Sequence, residues 1–394
     1  MDAADQVLVS ELRRYRRIGD LRRSEFYREH KQKLDGILKQ ARIYRHPEAS
    51  PALRAFLRIA QWNILYGTRL PDIISTLKEH PVLKHADVLL LNEVDDGTSR
   101  CAGVDVAAEL SAALGASAIY AVEYLELADG AAAPESLTGR VVTPVHGNAI
   151  LTRHPFDNTQ VVRLPRCENN FESAQKRLGG RAGLIVDIDV FGRQVTVATT
   201  HLDVVNTPRC RGSQIRGLLQ AVDARKTATG SFRAIVGGDF NTHTFVRGTP
   251  LGAIQNISRI LFSDVRELRE LFLDPAACEP ALTELERFGF QTGGFNDGGC
   301  TNRVTLEELD RTTTLPGFLK RRVLDRLQPC APALEFRLDW FAGYGVTPLE
   351  AGEAEDAESG VQSVSPLTLQ ILGADGSAPS DHDPIAVDIC LPPA

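Results

Sequence analysis

Six groups of polar residues stand at or beside short apolar runs, and their side chains are the types that phosphate chemistry uses. Asn63 follows Leu57–Trp62, and Asn92-Glu93 follows Val88–Leu91. Thr200-His201-Leu202-Asp203 follows Gln194–Thr199, and Gly237-Gly238-Asp239-Phe240-Asn241 follows Ala234–Val236. Asp339 lies between Leu338 and Trp340, and Ser380-Asp381-His382-Asp383-Pro384 precedes Ile385–Ile389. Cleaving a phosphoester requires an activated water, neutralised phosphate oxygens and a stabilised leaving oxygen. Glu93 and Asp381 are hard oxygen ligands of the kind Mg2+ or Mn2+ takes, and Asn63 joins that set without adding charge. Should Glu93, Asp239, Asp339 and Asp381 converge, two carboxylates about 4 Å apart repel by roughly 4 kcal/mol at an effective dielectric of 20, so the site requires a cation or protons. Neutral Asn241 can meet phosphate without repelling it, and His382 beside a carboxylate can take a proton. Singly, each residue has a plainer use: Asn63 as a turn cap, Asp239 in an Asx-turn, His201 as a core histidine, Asp381 as a helix cap.

The flanking segments explain how such groups would be held. Leu57–Trp62, Val88–Leu91, Ala149–Leu151, Ala234–Val236, Phe336–Trp340 and Ile385–Ile389 read as strands. Leu184–Val190 and Gln194–Thr199 flank Phe191-Gly192-Arg193 as a hairpin. Val104–Leu114 and the Ile215, Leu218, Leu219, Val222 series read as helices. The pattern is mixed α/β with antiparallel pairs, and strand ends on one rim are where a rigid scaffold presents reactive groups.

The order of these motifs resembles that of the endonuclease/exonuclease/phosphatase superfamily. That superfamily contains DNase I-like nucleases, abasic-site endonucleases, inositol polyphosphate phosphatases, deadenylases and neutral sphingomyelinases. The resemblance runs from about Leu57 to Ile389. A given four-residue string such as Gly238-Asp239-Phe240-Asn241 arises about once in 10⁵ positions at ordinary residue usage, and six motifs in the expected order go well beyond that. The resemblance implies a DNase I-like four-layered α/β sandwich, two packed mixed sheets flanked by helices, and hydrolysis by in-line water attack with Mg2+ or Mn2+. It makes His382 the base and Asp339 its orienting partner. Asp239 and Asn241 then handle the attacking water or the phosphate, and His201 hydrogen-bonds the phosphate or protonates the leaving group. His146-Gly147-Asn148-Ala149-Ile150-Leu151 resembles a family strand whose Asn148 reaches the phosphate, and Arg181 in Gly179-Gly180-Arg181-Ala182 steers an anion. Arg211 and Gln214 brace the His201 loop, and Asn206, Arg209 and Arg247 are further candidates. Abasic-site nucleases usually carry Gln-Glu-x-Lys where this chain has Asn92-Glu93-Val94-Asp95, and tyrosine where it has His201. Asn92–Gly97, Glu109-Leu110 and Val122–Leu127 look most like bacterial members without an established substrate.

Two segments fall outside the resemblance. Residues 1–50 are expected to form a helical extension, with helices over 6–45 broken at Gly19-Asp20 and a linker at His46–Pro51. Residues 245–330 read as an insertion that covers the rim of a catalytic domain spanning 51–394 and sets specificity. Of the net charge of −7, residues 1–50 carry +4 and the remainder −11, so the body has no general attraction for nucleic acid. The expected substrate is a phosphodiester, or a phosphomonoester, in nucleic acid or a small organic phosphate. The rivals are a nuclease proper, a lipid phosphodiesterase touching membrane through residues 6–45, and a non-catalytic binding module; no protein partner is indicated. Seven scattered cysteines form no C-x-x-C pair, the start lacks a secretory pattern, and no run of 18 apolar residues occurs. These features favour a chain without disulfides in the cytoplasm.

Overall fold

The computed structural model describes residues 3–52, 54–133, 142–226, 232–247, 249–312, 315–356, 359–373 and 375–391. Two sheets carry the fold. Among the described residues the first has nine strands: β1 (Arg42–Tyr44), β2 (Leu57–Asn63), β3 (Val88–Asp96), β4 (Ser117–Glu126), β5 (Val145–Thr152), β7 (Arg177–Gly179), β14 (Thr347–Pro348), β15 (Leu367–Thr368) and β16 (Ile385–Cys390). Their order is β1-β4-β5-β3-β2-β16-β14, with β7 beside β4 and β15 beside β16. The second sheet runs β13-β10-β9-β8-β6, from β13 (Asp339–Tyr344), β10 (Ala234–Asp239), β9 (Arg193–Thr200), β8 (Ala182–Val190) and β6 (Phe156–Arg163). β2 and β3 run parallel, as do β9 and β10, while the other named pairs are antiparallel.

Side chains alternate across a strand, and the inward set packs the sheets together: Ile59, Leu90, Ile119 and Ile150 from the first meet Val186, Val197, Ile235 and Phe341 from the second. The outward set of the first sheet is covered by helices Ala3–Arg14, Glu25–Lys39, Leu70–Glu79 and Val106–Leu114. That of the second is covered by Pro208–Asp223 and Pro280–Arg287. The layers are therefore helix, sheet, sheet, helix, the DNase I-like α/β sandwich expected from the sequence.

Local expectations shift in three places. The N-terminal helical segment breaks at Tyr15–Arg17 and at Ser24, whose hydroxyl caps the next helix by accepting from Tyr27 N at 3.1 Å; Gly19-Asp20 lies inside the helix Ile18–Arg23. The segment ends in β1, not in helix. Phe336–Trp340 is not one strand. β12 (Ala333–Phe336) pairs with β11 (Asn302–Thr305), and the chain then bends at Arg337, whose guanidinium is buried against Asp297 and the Gly299 carbonyl, before β13 opens at Asp339. Cys167 and Cys210, expected as separate thiols, form a disulfide with Cα atoms 6.1 Å apart. This pairing removes the cysteine argument for the cytoplasm. Among the described residues, no helix is long and apolar enough to cross a membrane.

Within 245–330 the helices Pro250–Phe262, Val265–Leu273 and Gly317–Leu327 close their own small core around Phe272, Leu327 and Phe336. Helix Pro280–Arg287 joins the second sheet's outer layer instead.

Candidate active site

The site is the polar continuation of the inter-sheet core at one edge. Along β2 the inward series runs Ile59, Gln61, Asn63; along β3, Leu90, Asn92; along β10, Ile235, Gly237, Asp239; and along β13, Phe341, Asp339. Because β13 is antiparallel to β10 and β16 to β2, Asp339 and His382 arrive at the same edge as Asp239 and Asn63.

His382 Nδ1 lies 2.7 Å from Asp339 Oδ2, and its Nε2 lies 3.7 Å from Asp239 Oδ2. The same Asp239 oxygen accepts from Asn63 Nδ2 at 3.0 Å and faces His201 Nε2 at 3.4 Å. Asn241 N donates to Asp239 Oδ1 at 2.9 Å, and Asn241 Nδ2 donates to Leu202 O at 2.9 Å, which ties the two loops together. Five expected residues, Asn63, His201, Asp239, Asp339 and His382, thus converge, with Asn241 against them. Asn241 adopts φ +50°, which asparagine tolerates better than most. Gly238, at φ +151°, has no alternative, since a Cβ there would overlap the Thr200 carbonyl.

Glu93 is aimed by a defect. The β3–β5 register shifts between Leu91 and Val94, and Glu93 takes φ +53°. A bulge of this kind redirects one side chain out of the ladder. Glu93 Oε2 is buried without a hydrogen-bond partner. Burial raises its carboxyl, His146 opposes that, and Asp381 adds to it. Asp381 is exposed at the mouth, its carbonyl accepting from Asn302 Nδ2 at 3.1 Å.

The proton distribution follows from burial and charge. Burial pushes Asp239 up to about 7 despite His382, with Asp339 adding to the rise. Burial works against the His382 imidazolium, yet Asp339 and Asp239 outweigh it and hold His382 well above its ordinary value. His201 goes the other way: burial, then Arg181 and His146, push it well below, so it is neutral at pH 7.

Two expected substrate contacts are occupied otherwise. Asn148 is fully buried, accepting from Asn92 Nδ2 at 2.8 Å while its own amide donates to Glu123 Oε1 at 3.1 Å. Arg181 donates to Glu123 Oε2 at 2.8 Å and to Asp203 Oδ1 at 3.2 Å, which leaves it part of an ion-pair network beside the site. Gln214 braces the His201 loop as expected, donating to Asp203 Oδ2 at 2.8 Å. Arg211 instead pairs with Glu279 of the 245–330 segment at 2.6 Å.

The sequence reading missed the supports. Gln61 Nε2 donates to Asp339 Oδ1 at 2.9 Å and to Asn92 Oδ1 at 3.1 Å, and Asp239 N donates to that same Asn92 oxygen at 2.8 Å. Thr301 Oγ1 accepts from Asp339 N at 3.2 Å, and Asn302 bridges to His382, so the 245–330 segment contributes to the site wall. Gln61 and Asn63 on one strand face were the available signal: two amides where the alternation calls for apolar residues.

The sequence profile described as the Endonuclease/Exonuclease/phosphatase family matches residues 60–382. The chain belongs to this family. Endonuclease/exonuclease/phosphatase proteins are generally hydrolases of phosphate esters and generally depend on a divalent cation. No curated protein matches the chain in sequence. Among solved structures it is similar to an endonuclease/exonuclease/phosphatase family protein from Leptotrichia buccalis, at 15% identity and TM-score 0.47 over 84% of this chain and 98% of that one. It is also similar to the human Nocturnin catalytic domain with bound sulfate, at 16% identity and TM-score 0.44 over 89% and 97%. D. rerio TDP2 complexed with a single-strand DNA product is similar at 16% identity and TM-score 0.43 over 85% and 99%.

Proposed function

We propose that this chain is a divalent-cation-dependent phosphodiesterase that cleaves its substrate by in-line attack of water, with Mg2+ or Mn2+ held by Glu93, Asp381 and Asn63. The observation that carries the proposal is the Asp339–His382–Asp239 chain, 2.7 and 3.7 Å, at an edge where Glu93 keeps a buried oxygen unpartnered. An orphaned carboxylate oxygen is costly to bury, and a hard cation relieves that cost. Bound there, the cation would neutralise phosphate charge and, by its own charge, favour the neutral form of His382.

The chain's own groups supply the rest. With Nδ1 committed to Asp339, His382 presents Nε2 to the attacking water and takes its proton. Gln61 holds the second Asp339 oxygen, so the carboxylate cannot rotate away from the imidazole. Asp239 and Asn241 orient the water and phosphate. His201, being neutral, donates one N–H to a phosphate oxygen; a general-acid role is disfavoured by the low affinity of its ring for a second proton. Asn148 braces Asn92, and Arg181 acts on the phosphate only through the charge of its ion-pair network.

We further propose that 1–50 and 245–330 are additions to a 51–394 catalytic domain, and that the substrate is nucleic acid or a small organic phosphate. The test is turnover of bis-p-nitrophenyl phosphate beside plasmid and single-stranded nucleic acid. Activity on any of these should vanish with EDTA, return with Mg2+ or Mn2+, and be abolished by His382→Ala and Asp239→Asn in folded protein. Near-normal rates in either variant would overturn the assignment.

A further inference from the structure

Next to Glu93 lies a second set of metal-type donors. β4 carries an irregularity between Val122 and Tyr124, where Glu123 sits, and β5 contributes His146. With His201 they bring one carboxylate oxygen and two imidazole nitrogens within 4.8 Å of one another. Their relative exposures are 0, 2 and 3% for Glu123, His146 and His201.

The hydrogen-bond partners leave unfilled acceptor positions on these residues. His146 Nδ1 is 2.8 Å from Asp95 Oδ1, and Asp95 Oδ2 already accepts from Thr98 and Arg100, so Asp95 is an acceptor and His146 Nδ1 carries the proton. In the neutral ring, the form a metal ligand takes, His146 Nε2 then presents a lone pair, 4.0 Å from Glu123 Oε2. Glu123 Oε1 is filled by Ala182 N at 3.0 Å and Asn148 Nδ2 at 3.1 Å; Oε2 accepts from Arg181 at 2.8 Å and keeps a lone pair. His201 Nδ1 is buried with no partner, while its Nε2 faces Asp239. The surrounding charges, Asp95, Glu123 and Asp203 against Arg100 and Arg181, leave one negative charge over, which favours a cation.

We propose that Glu123, His146 and His201 bind a second divalent cation, of the Zn2+ or Co2+ class, separate from the ion at Glu93. Two imidazoles and one carboxylate are a donor set for such metals and not for Mg2+, and three protein ligands leave a position open for water or a substrate oxygen. The Asp95–His146 hydrogen bond is the outer-shell contact that fixes a ligating histidine's tautomer. A cation on His201 Nδ1 would leave Nε2 as the N–H donor facing the reaction space. That consequence alone rests on the function proposed above; the site itself does not.

The test is Co2+ titration of the full-length, chelator-stripped protein, read by visible d–d absorption and calorimetry. Glu93→Gln should bind one equivalent, and the wild type that equivalent besides the ion at Glu93, each with a low-coordination spectrum that lacks thiolate charge-transfer bands. His146→Gln should weaken that binding by about 100-fold or more, and Asp95→Asn, which keeps all three ligands, by about 10- to 100-fold. Should His146→Gln fail to fold, Asp95→Asn still decides. Wild-type Co2+ binding in both variants, or no such spectrum in the wild type, overturns the site and leaves the triad holding a proton or a water. Loss of the Glu93 ion leaves this spectrum in place, so the two assignments fail separately.

Discussion

Glu93 shows what the site asks of single residues. Its left-handed backbone costs a non-glycine residue roughly 1–2 kcal/mol, and its unpartnered buried oxygen adds to that. Glu93→Gly should therefore abolish activity while leaving the melting temperature unchanged or higher; a fall of several degrees would make Glu93 a structural residue. Asp87 carries the residue-scale pH dependence. Burial lifts it to about 6 from its ordinary 3.8, although Arg54 and the Arg58 amide oppose the rise. A carboxyl raised on folding binds its proton more tightly in the native state. Its contribution is thus full below pH 3.8 and is lost as pH climbs through about 6, a swing of about 3 kcal/mol. Asp87→Asn keeps an acceptor for Arg58 N and cannot ionise. The difference in denaturant stability between Asp87→Asn and wild type should grow in favour of the variant from pH 4 to pH 7, and a difference independent of pH would refute this.

At the scale of elements, the strands were legible because apolar runs with β-branched residues end at polar groups, and the site's members were legible because their order is a family's order. Register was not. Nothing in Val88–Asp96 announces that the ladder slips at Asn92-Glu93, since a bulge depends on what β5 offers opposite. The bend at Arg337 was hidden for a related reason: Phe336–Trp340 alternates as a strand does, and distant groups, Asn296, Asp297, Gly299 and the Phe272 carbonyl, pull Arg337 out of it. The Cys167–Cys210 pair is separated by 43 residues and leaves no local pattern. The 245–330 segment is anchored through a buried pair: Arg211 of the helix Pro208–Asp223 meets Glu279, and Glu279 Oε1 also accepts from Thr244 N at 2.7 Å, just beyond Asn241. Removing one member strands the other charge. Arg211→Ala should cost about 3–5 kcal/mol, and Arg211→Met with Glu279→Gln distinctly less than the two single changes summed. Additive losses in that cycle would show that the pair does not couple the segment to the helix.

For the molecule as a whole, the open question is whether residues 1–50 are detachable. Their basic side chains Arg14, Arg16, Arg17, Arg22 and Arg23 face solvent, as a membrane-contacting segment would require. The apolar side chains are spent elsewhere: Leu8, Leu12, Leu21 and Leu34 are buried in the core on the outer face of the first sheet. Lys176, just before β7, donates to the carbonyls of Arg13 and Tyr15 at 2.6 and 2.5 Å, and β1 adds an edge strand to β4, which carries Glu123. Four buried leucines at roughly 1.5–3 kcal/mol each represent up to about 6–12 kcal/mol, an upper bound because the unfolded chain already hides some of that surface. A domain's whole stability is of order 5–15 kcal/mol. Deleting residues 1–40 should accordingly lower the melting temperature by more than about 10 °C or leave an aggregating, dye-binding species, since a 1 kcal/mol loss shifts a large domain by roughly 2 °C or more. The full-length protein, with that face already covered, should not sediment with neutral liposomes. A truncated protein that melts within about 2 °C of the parent and keeps its phosphodiesterase rate would instead make the segment a separable extension, and would return the membrane reading to contention.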